Sequence, residues 1–174
     1  MFFHNSIILI LCCFVFSVAC SMQKLIVKKY DEKKDESSLL TFIEKNKKAL
    51  DVDDGGLFLS KAKRPLGKDK ETIRLLLSKG GTEEDEILGF LYCTHYGKIG
   101  RILKIFFEKE KVAPEEIEKL VENVQVWLKC KKCNFVEARI PLKNKFIFED
   151  LKKIGFVLWP KKEESYLDVT KLLS

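Results

Sequence analysis

The chain has 174 residues, a formal net charge of +6, nine glycines, four prolines and six cysteines. About 154 residues follow an uncharged leader, enough to bury roughly 70% of the unfolded surface in one core, and the lack of internal repeats or low-complexity tracts excludes a solenoid or a disordered chain. Lysines and acids are interspersed, as in Lys109-Glu110-Lys111, without interleaved aromatic residues, so the charge describes a solvated surface and no nucleic-acid partner is expected.

In chain order, residues 1–23 carry no charged side chain, and residues 7–19 form an apolar run ending in Ser17-Val18-Ala19-Cys20. Such a run is too short for an ordinary membrane span, and its small residues are what a signal peptidase reads. Cys20 directly after Ala19 is a candidate lipidation site of the bacterial lipoprotein type. Two other readings stay open. The basic residues beyond the leader, Lys24, Lys28, Lys29, Lys33 and Lys34, suit a short anchor retained on the cytoplasmic side, or the start is Met22 and the protein is cytoplasmic. We therefore read residues 1–20 as a leader, membrane-associated or exported, and residues 22–174 as one domain.

Residues 24–30 predict a first strand and residues 35–48 a first helix, with Leu39, Leu40, Phe42 and Ile43 on its apolar side. Residues 49–71 hold Asp51, Asp53, Asp54, Gly55, Gly56, Pro65 and Gly67 and are expected to be an irregular loop. Two β-rich runs follow at residues 72–78 and 87–96, joined by a glycine and acid-rich hairpin loop. A further turn is expected at Gly97-Lys98. Residues 101–107 are apolar except at Arg101 and Lys104, as in a buried central strand. Pro114, Glu115 and Glu116 suit the first turn of a helix whose Ile117, Leu120, Val121, Val124 and Leu128 recur at helical spacing. Strands at 135–140, 156–159 and 166–169 complete roughly seven strands and three helices, an α+β arrangement about one mixed sheet.

The segment 144–156 combines a candidate N-cap at Asn144, an apolar helical face at Ile147, Leu151 and Ile154, a glycine stop at Gly155 and a returning strand from Phe156. This spacing resembles the last conserved block of the GNAT superfamily of N-acetyltransferases. There an asparagine is followed at three positions on by a small apolar residue, at seven by tyrosine, and at eleven and twelve by Gly-Phe. Asn144, Ile147, Gly155 and Phe156 match, and the element order agrees over nearly the whole chain after the leader. Leu151 occupies the tyrosine slot.

The resemblance implies a mixed, mostly antiparallel sheet flanked by helices, acetyl-CoA as co-substrate, no metal, and an amine acceptor, small molecule or protein. In that family a hydroxyl at the Leu151 slot often protonates the leaving thiolate. The turn before the long helix carries glycines whose backbone N–H groups close on the coenzyme A pyrophosphate. The matching stretch here, Val112-Ala113-Pro114-Glu115-Glu116-Ile117, holds no glycine and places a proline and two carboxylates there. What the resemblance leaves for acetyl-CoA is the strand edge at Ile105, Phe106 and Phe107, which would pair with the pantetheine arm, and Asn144, within reach of the same arm. Two functions follow: acetyl transfer to an amine with degenerate devices, or a non-catalytic binding module on the same fold. Residues 49–71 would then shape the acceptor pocket or hold a partner.

Cys93, Cys130 and Cys133 remain outside the leader, an odd set unlike a disulfide framework. Cys130-Lys131-Lys132-Cys133 lacks a second pair or nearby histidines for zinc and closes a helix where a redox pair should open one. It is read as two small apolar residues at a helix-to-strand junction. His95 is a candidate base in the cleft, weighed against a plain polar residue at a strand end.

Overall fold

The computed structural model describes residues 25–50, 52, 54–63, 71–80, 86–159 and 165–173, so the leader and its Cys20 lie outside the described residues, as does part of the hairpin loop. The described elements are β1 (Leu25–Lys29), α1 (Glu32–Lys45), α2 (Lys47–Leu50), α3 (Gly55–Lys63), β2 (Thr72–Lys79), β3 (Glu86–Tyr96), β4 (Ile99–Phe107), α4 (Pro114–Cys130), β5 (Phe135–Pro141), a 3-10 turn (Leu142–Asn144), α5 (Lys145–Lys153), β6 (Val157–Leu158) and β7 (Tyr166–Leu172). The seven strands form one sheet in the order β1-β2-β3-β4-β5-β7-β6. Only β4 and β5 run parallel; every other neighbouring pair is antiparallel. The α+β, mostly antiparallel arrangement expected from the sequence is therefore the one found.

Several boundaries move for identifiable reasons. α1 begins three residues before the expected position because Asp31 and Asp35 cap it together. The Asp31 carboxylate accepts from the Lys33 N–H at 3.0 Å, and Asp35 accepts from the Asp31 N–H at 2.8 Å and from Lys28 Nζ at 2.7 Å. The expected irregular stretch contains α3, whose first turn is tied by Asp54 to the Leu57 N–H at 2.9 Å and by Glu44 to the Gly55 N–H at 2.8 Å. Glycine-rich composition concealed a helix that side-chain caps supply.

Strand alternation puts the two faces of the sheet under different helices. Phe90 and Phe106 meet Phe42 of α1, at ring centroid separations of 6.2 and 6.0 Å, and Phe90 also meets Phe58 of α3. On the other face His95 lies against Trp127 of α4, and Phe107 against Phe146 of α5. Both helices on that second face stop by the same device. Gly155 has φ +92°, with the Phe156 N–H on the Leu151 carbonyl at 3.1 Å and the Gly155 N–H on Lys152 at 3.0 Å. Lys132 has φ +58°, with Cys133 N–H to Leu128 at 3.0 Å and Lys132 N–H to Lys129 at 2.9 Å. These are paired Schellman closures. The first needs the glycine that the sequence offers, and the second forces a lysine into the left-handed region. Phe156 consequently ends α5 as a buried plug, 1% exposed, and the strand expected from 156 to 159 shrinks to Val157–Leu158.

Candidate functional site

The ladder between β4 and β5 stops early. Ile99 pairs with Phe135 and the register runs only to Ile102 opposite Ala138. On the other edge of β4 the register against β3 slips between Tyr92 opposite Lys104 and Cys93 opposite Ile102, which leaves Leu103 as a bulge. A bulge bends and twists its strand, so β4 leaves β5 at Leu103 and a wedge opens between 103–107 and 139–141.

Backbone polarity at the wedge follows from one bond. The Glu108 N–H donates to the Leu88 carbonyl at 2.9 Å, so even-numbered residues of this stretch spend their groups on β3. By antiparallel alternation the N–H and C=O of Ile105 and Phe107 point the opposite way, into the wedge. Phe106 instead turns its backbone to β3 and its ring, 3% exposed, into the core against Phe42. Of the three residues named on this strand edge, two thus present main-chain groups to the gap and the middle one supports them.

Asn144 stands just after β5, at the wide end of the wedge, and is 6% exposed. It occupies the N-cap position of α5 but its side chain makes no capping bond; its Nδ2 donates to the Ala49 carbonyl at 3.1 Å. Lys143 Nζ reaches the Lys48 carbonyl at 3.4 Å. Together they tie the end of α2 to the turn after β5. One of the two Asn144 amide hydrogens is committed to this bridge. Leu151 is fully buried at 0% exposure in the core under α5, a position that supplies packing and no proton.

The turn from β4 to α4 carries a proline and two carboxylates in place of glycines. Ala113 is the N-cap and offers no side-chain bond, Pro114 has no N–H, and the Glu116 N–H is spent on the Ala113 carbonyl at 3.0 Å. Glu115 and Glu116 fill the first turn, with Glu116 also paired to Lys119 at 3.1 Å. Just upstream, Glu108 gathers Lys45 at 3.0 Å, Asn46 at 3.3 Å and Lys111 at 3.1 Å, and Lys111 also reaches Glu86 at 2.7 Å. Burial alone would raise the Glu108 carboxyl, but the bonds from Lys45, Asn46 and Lys111 outweigh it and hold the group below its ordinary value. Lys45 and Lys111 are thereby matched to carboxylates of this chain, whereas the Lys109 ammonium stands over the Phe146 ring at 5.7 Å.

On the α1 face of the sheet, β4, β5 and β7 floor a groove of about 660 Å³. The Arg101 guanidinium pairs with Glu137 directly across from it, and Arg139 Nε with Asp168 Oδ1 at 3.0 Å. Ile99, Leu103, Phe135 and Trp159 supply the apolar lining. Leu103 and Arg139 are also the residues at which the wedge begins, so groove and wedge meet. A second cavity of about 30 Å³, between α3 and the β2–β4 face, has room for water only. Sequence reading missed the groove. Its signal was charge at Arg101, in a strand read as buried, at Glu137 and Arg139 two residues apart on the next strand, and at Asp168 on the last.

His95 does not join this site. It lies opposite Gly100, on the α4 face, five residues along β4 from Ile105, about 16 Å at the rise of a strand. Both of its ring nitrogens are buried without a hydrogen-bond partner. The cysteine pair divides: Cys133 is 5% exposed and fits the small apolar reading, whereas Cys130 is exposed at the end of α4. Burial raises the Cys133 thiol and pushes Cys93 up to about 12, which disfavours a reactive thiolate at either. Among the described residues no group of three or more histidine, cysteine, aspartate or glutamate side chains is placed to hold a metal.

No protein-family model matches the chain, and no curated protein matches it. Solved structures do. An acetyltransferase of the GNAT family from Staphylococcus aureus Mu50 superposes with TM-score 0.66 at 13% identity, over 87% of this chain and 100% of that one. An aminoglycoside 6'-N-acetyltransferase complexed with coenzyme A gives 0.65 at 11%, over 86% and 97%. The PaiA N-acetyltransferase from Thermoplasma acidophilum in complex with coenzyme A gives 0.59 at 13%, over 86% and 99%. At these identities the likeness defines the class of fold: the chain has the GNAT fold of the acetyltransferases.

Proposed function

We propose that this protein is an N-acetyltransferase that holds acetyl-CoA by its pantetheine arm and not by its pyrophosphate. The single observation that carries the reading is the wedge at Leu103, where Ile105 and Phe107 aim strand-edge groups, paired to no strand among the described residues, into the gap between β4 and β5. An extended amide arm pairs with such an edge as an added strand would. Asn144, at the wide end, contributes its remaining amide hydrogen to the same arm. The coenzyme A bound in two of the matched acetyltransferases supports the donor class.

In the reaction, the acceptor nitrogen attacks the thioester carbonyl, loses a proton to solvent or an acidic side chain, and the C–S bond breaks with the sulfur leaving as thiolate. With Leu151 in the slot of the family's tyrosine, the thiolate takes its proton from water. Without a positioned acid there, the rate is expected to be lower by about 10² to 10⁴. A non-catalytic module that uses the same wedge and groove for binding is the second reading, favoured by buried Leu151 and by Glu115 and Glu116 at the turn.

Calorimetric titration with acetyl-CoA tests the proposal. A pyrophosphate left without its charge-assisted hydrogen bonds forgoes about 1.5–3 kcal/mol for each of them, so binding is expected to be measurable but no tighter than about 0.1 mM. Release of free thiol in the presence of an amine separates the enzyme from the binding module. Micromolar affinity would refute the weak-donor reading, and absence of any heat at millimolar ligand would refute donor binding altogether.

A further inference from the structure

Resting on the acetyl-transfer reading, we propose that the groove over β4, β5 and β7 is the acceptor site, and that it takes a zwitterionic α-amino acid with an apolar or aromatic side chain. Among the described residues four charges line it in two cross-strand pairs, Arg101 with Glu137 and Arg139 with Asp168. Glu137 and Arg139 are two residues apart on β5, about 6.6 Å. The described lining is therefore neutral in sum and alternating in sign.

That pattern discriminates among amines. A polyamine seating one ammonium on Glu137 or Asp168 brings its other charges against Arg101 or Arg139. A simple carboxylic acid gains an arginine and meets the adjacent carboxylate. A zwitterion satisfies both signs at once, its ammonium on a carboxylate and its carboxylate on the neighbouring guanidinium. The charged heads are accessible to such a ligand: side-chain exposure is 62% and 34% for Arg101 and Glu137, and 50% and 18% for Arg139 and Asp168.

The apolar part of the ligand is specified by the rest of the lining. Trp159 is 56% exposed at the groove and Phe135, Ile99 and Leu103 continue the apolar surface. The volume of about 660 Å³ falls within the range of small-molecule sites. Leu103 and Arg139 belong both to the groove and to the start of the wedge, so an amine held at Glu137 lies beside the gap in which the thioester is expected.

The test uses fluorescence and needs no acetyl-CoA. Trp127 and Trp159 are the two tryptophans of the chain, and Trp127→Phe leaves Trp159 as the sole reporter. L-phenylalanine is expected to change its emission with saturation in the millimolar range. Phenylalaninamide, which lacks the carboxylate, and 3-phenylpropionate, which lacks the amine, are each expected to bind at least tenfold more weakly, and spermidine not at all. In Arg139→Gln the preference for L-phenylalanine over its amide should fall to near unity, and Arg101→Gln offers the same comparison should the first variant fold poorly. Equal binding of the amide or of spermidine, or no saturation by L-phenylalanine up to its solubility, would overturn the assignment. Saturable binding of L-phenylalanine without thiol release when acetyl-CoA is added would leave the site standing and remove the acetyl-transfer reading.

Discussion

Two residues in the left-handed backbone region mark the two helix ends on one face of the sheet. Gly155 at φ +92° has nothing closer to a new Cβ than the Lys171 side chain at 3.5 Å, so a substitution there meets backbone strain before it meets a clash. Gly155→Val is expected to destabilise by about 1–2 kcal/mol, more than Lys153→Ala on the exposed side, as read by urea denaturation midpoints. Lys132 at φ +58° is the mirror case. Lys132→Gly should stabilise by about 0.5–1 kcal/mol, the relief of left-handed strain less the extra chain entropy of glycine; a loss of stability would contradict the Schellman assignment. At Glu108 the carboxyl lies below its ordinary value of 4.5. A depressed carboxylate contributes stability that is present above the unfolded value and lost as pH falls through the folded one. Glu108→Gln should therefore be less stable than the parent at neutral pH, with the difference closing once pH drops below about 4.5; a gap constant across that range would exclude the lysine cluster as its cause.

At the scale of elements, the geometry that matters is the departure of β4 from β5. Gly89 of β3 sits directly opposite Phe107, and a Cβ there would stand 2.9 Å from Phe107 Cβ and 3.0 Å from the Phe106 carbonyl oxygen. Gly89→Ala should push β4 toward the wedge, costing about 1–3 kcal/mol as overpacking does and weakening acetyl-CoA binding in calorimetry. Unchanged stability and affinity would show that β4 adapts without moving its edge. Helices with clear apolar periodicity, such as α4, were legible in the sequence, as was the succession of strands along the chain, because core burial writes itself at periods of 3.6 and 2. α3 was not legible, since its start depends on Asp54 and Glu44 side chains reaching backbone N–H groups. Nor was the length of β6, because whether residues after Gly155 pair is decided by β7 and not by their own composition. The strand edge at Ile105 and Phe107 could be named from sequence, but the bulge at Leu103 that opens it is a register event between two strands, and no local pattern encodes it.

For the whole molecule, the fold places the wedge and the charged groove side by side, and the turn before α4 carries Pro114, Glu115 and Glu116. A leader at residues 1–20, as proposed from the sequence, would bear on donor supply, because acetyl-CoA is a cytosolic metabolite. Among the described residues no helix is long and apolar enough to cross a membrane. If Cys20 is lipidated, as proposed from Ser17-Val18-Ala19-Cys20, fatty-acid labelling should mark the protein, Cys20→Ser should abolish the mark, and membrane partitioning should survive a salt wash that strips basic patches. Unlabelled, soluble protein beginning at Met22 would exclude the lipoprotein reading and place the domain with its donor.

The claim that the donor is held along β4 and not at the α4 turn is tested most directly by comparing acetyl-CoA with S-acetylpantetheine, which lacks the nucleotide and the pyrophosphate, in one calorimetric series. With Pro114, Glu115 and Glu116 at the turn, the nucleotide half is expected to contribute little, so the two dissociation constants should agree within about threefold, less than about 0.7 kcal/mol. Acetyl-CoA binding about a hundredfold or more tightly than its pantetheine fragment, about 2.7 kcal/mol, would mean that a pyrophosphate site exists after all and would contradict the account.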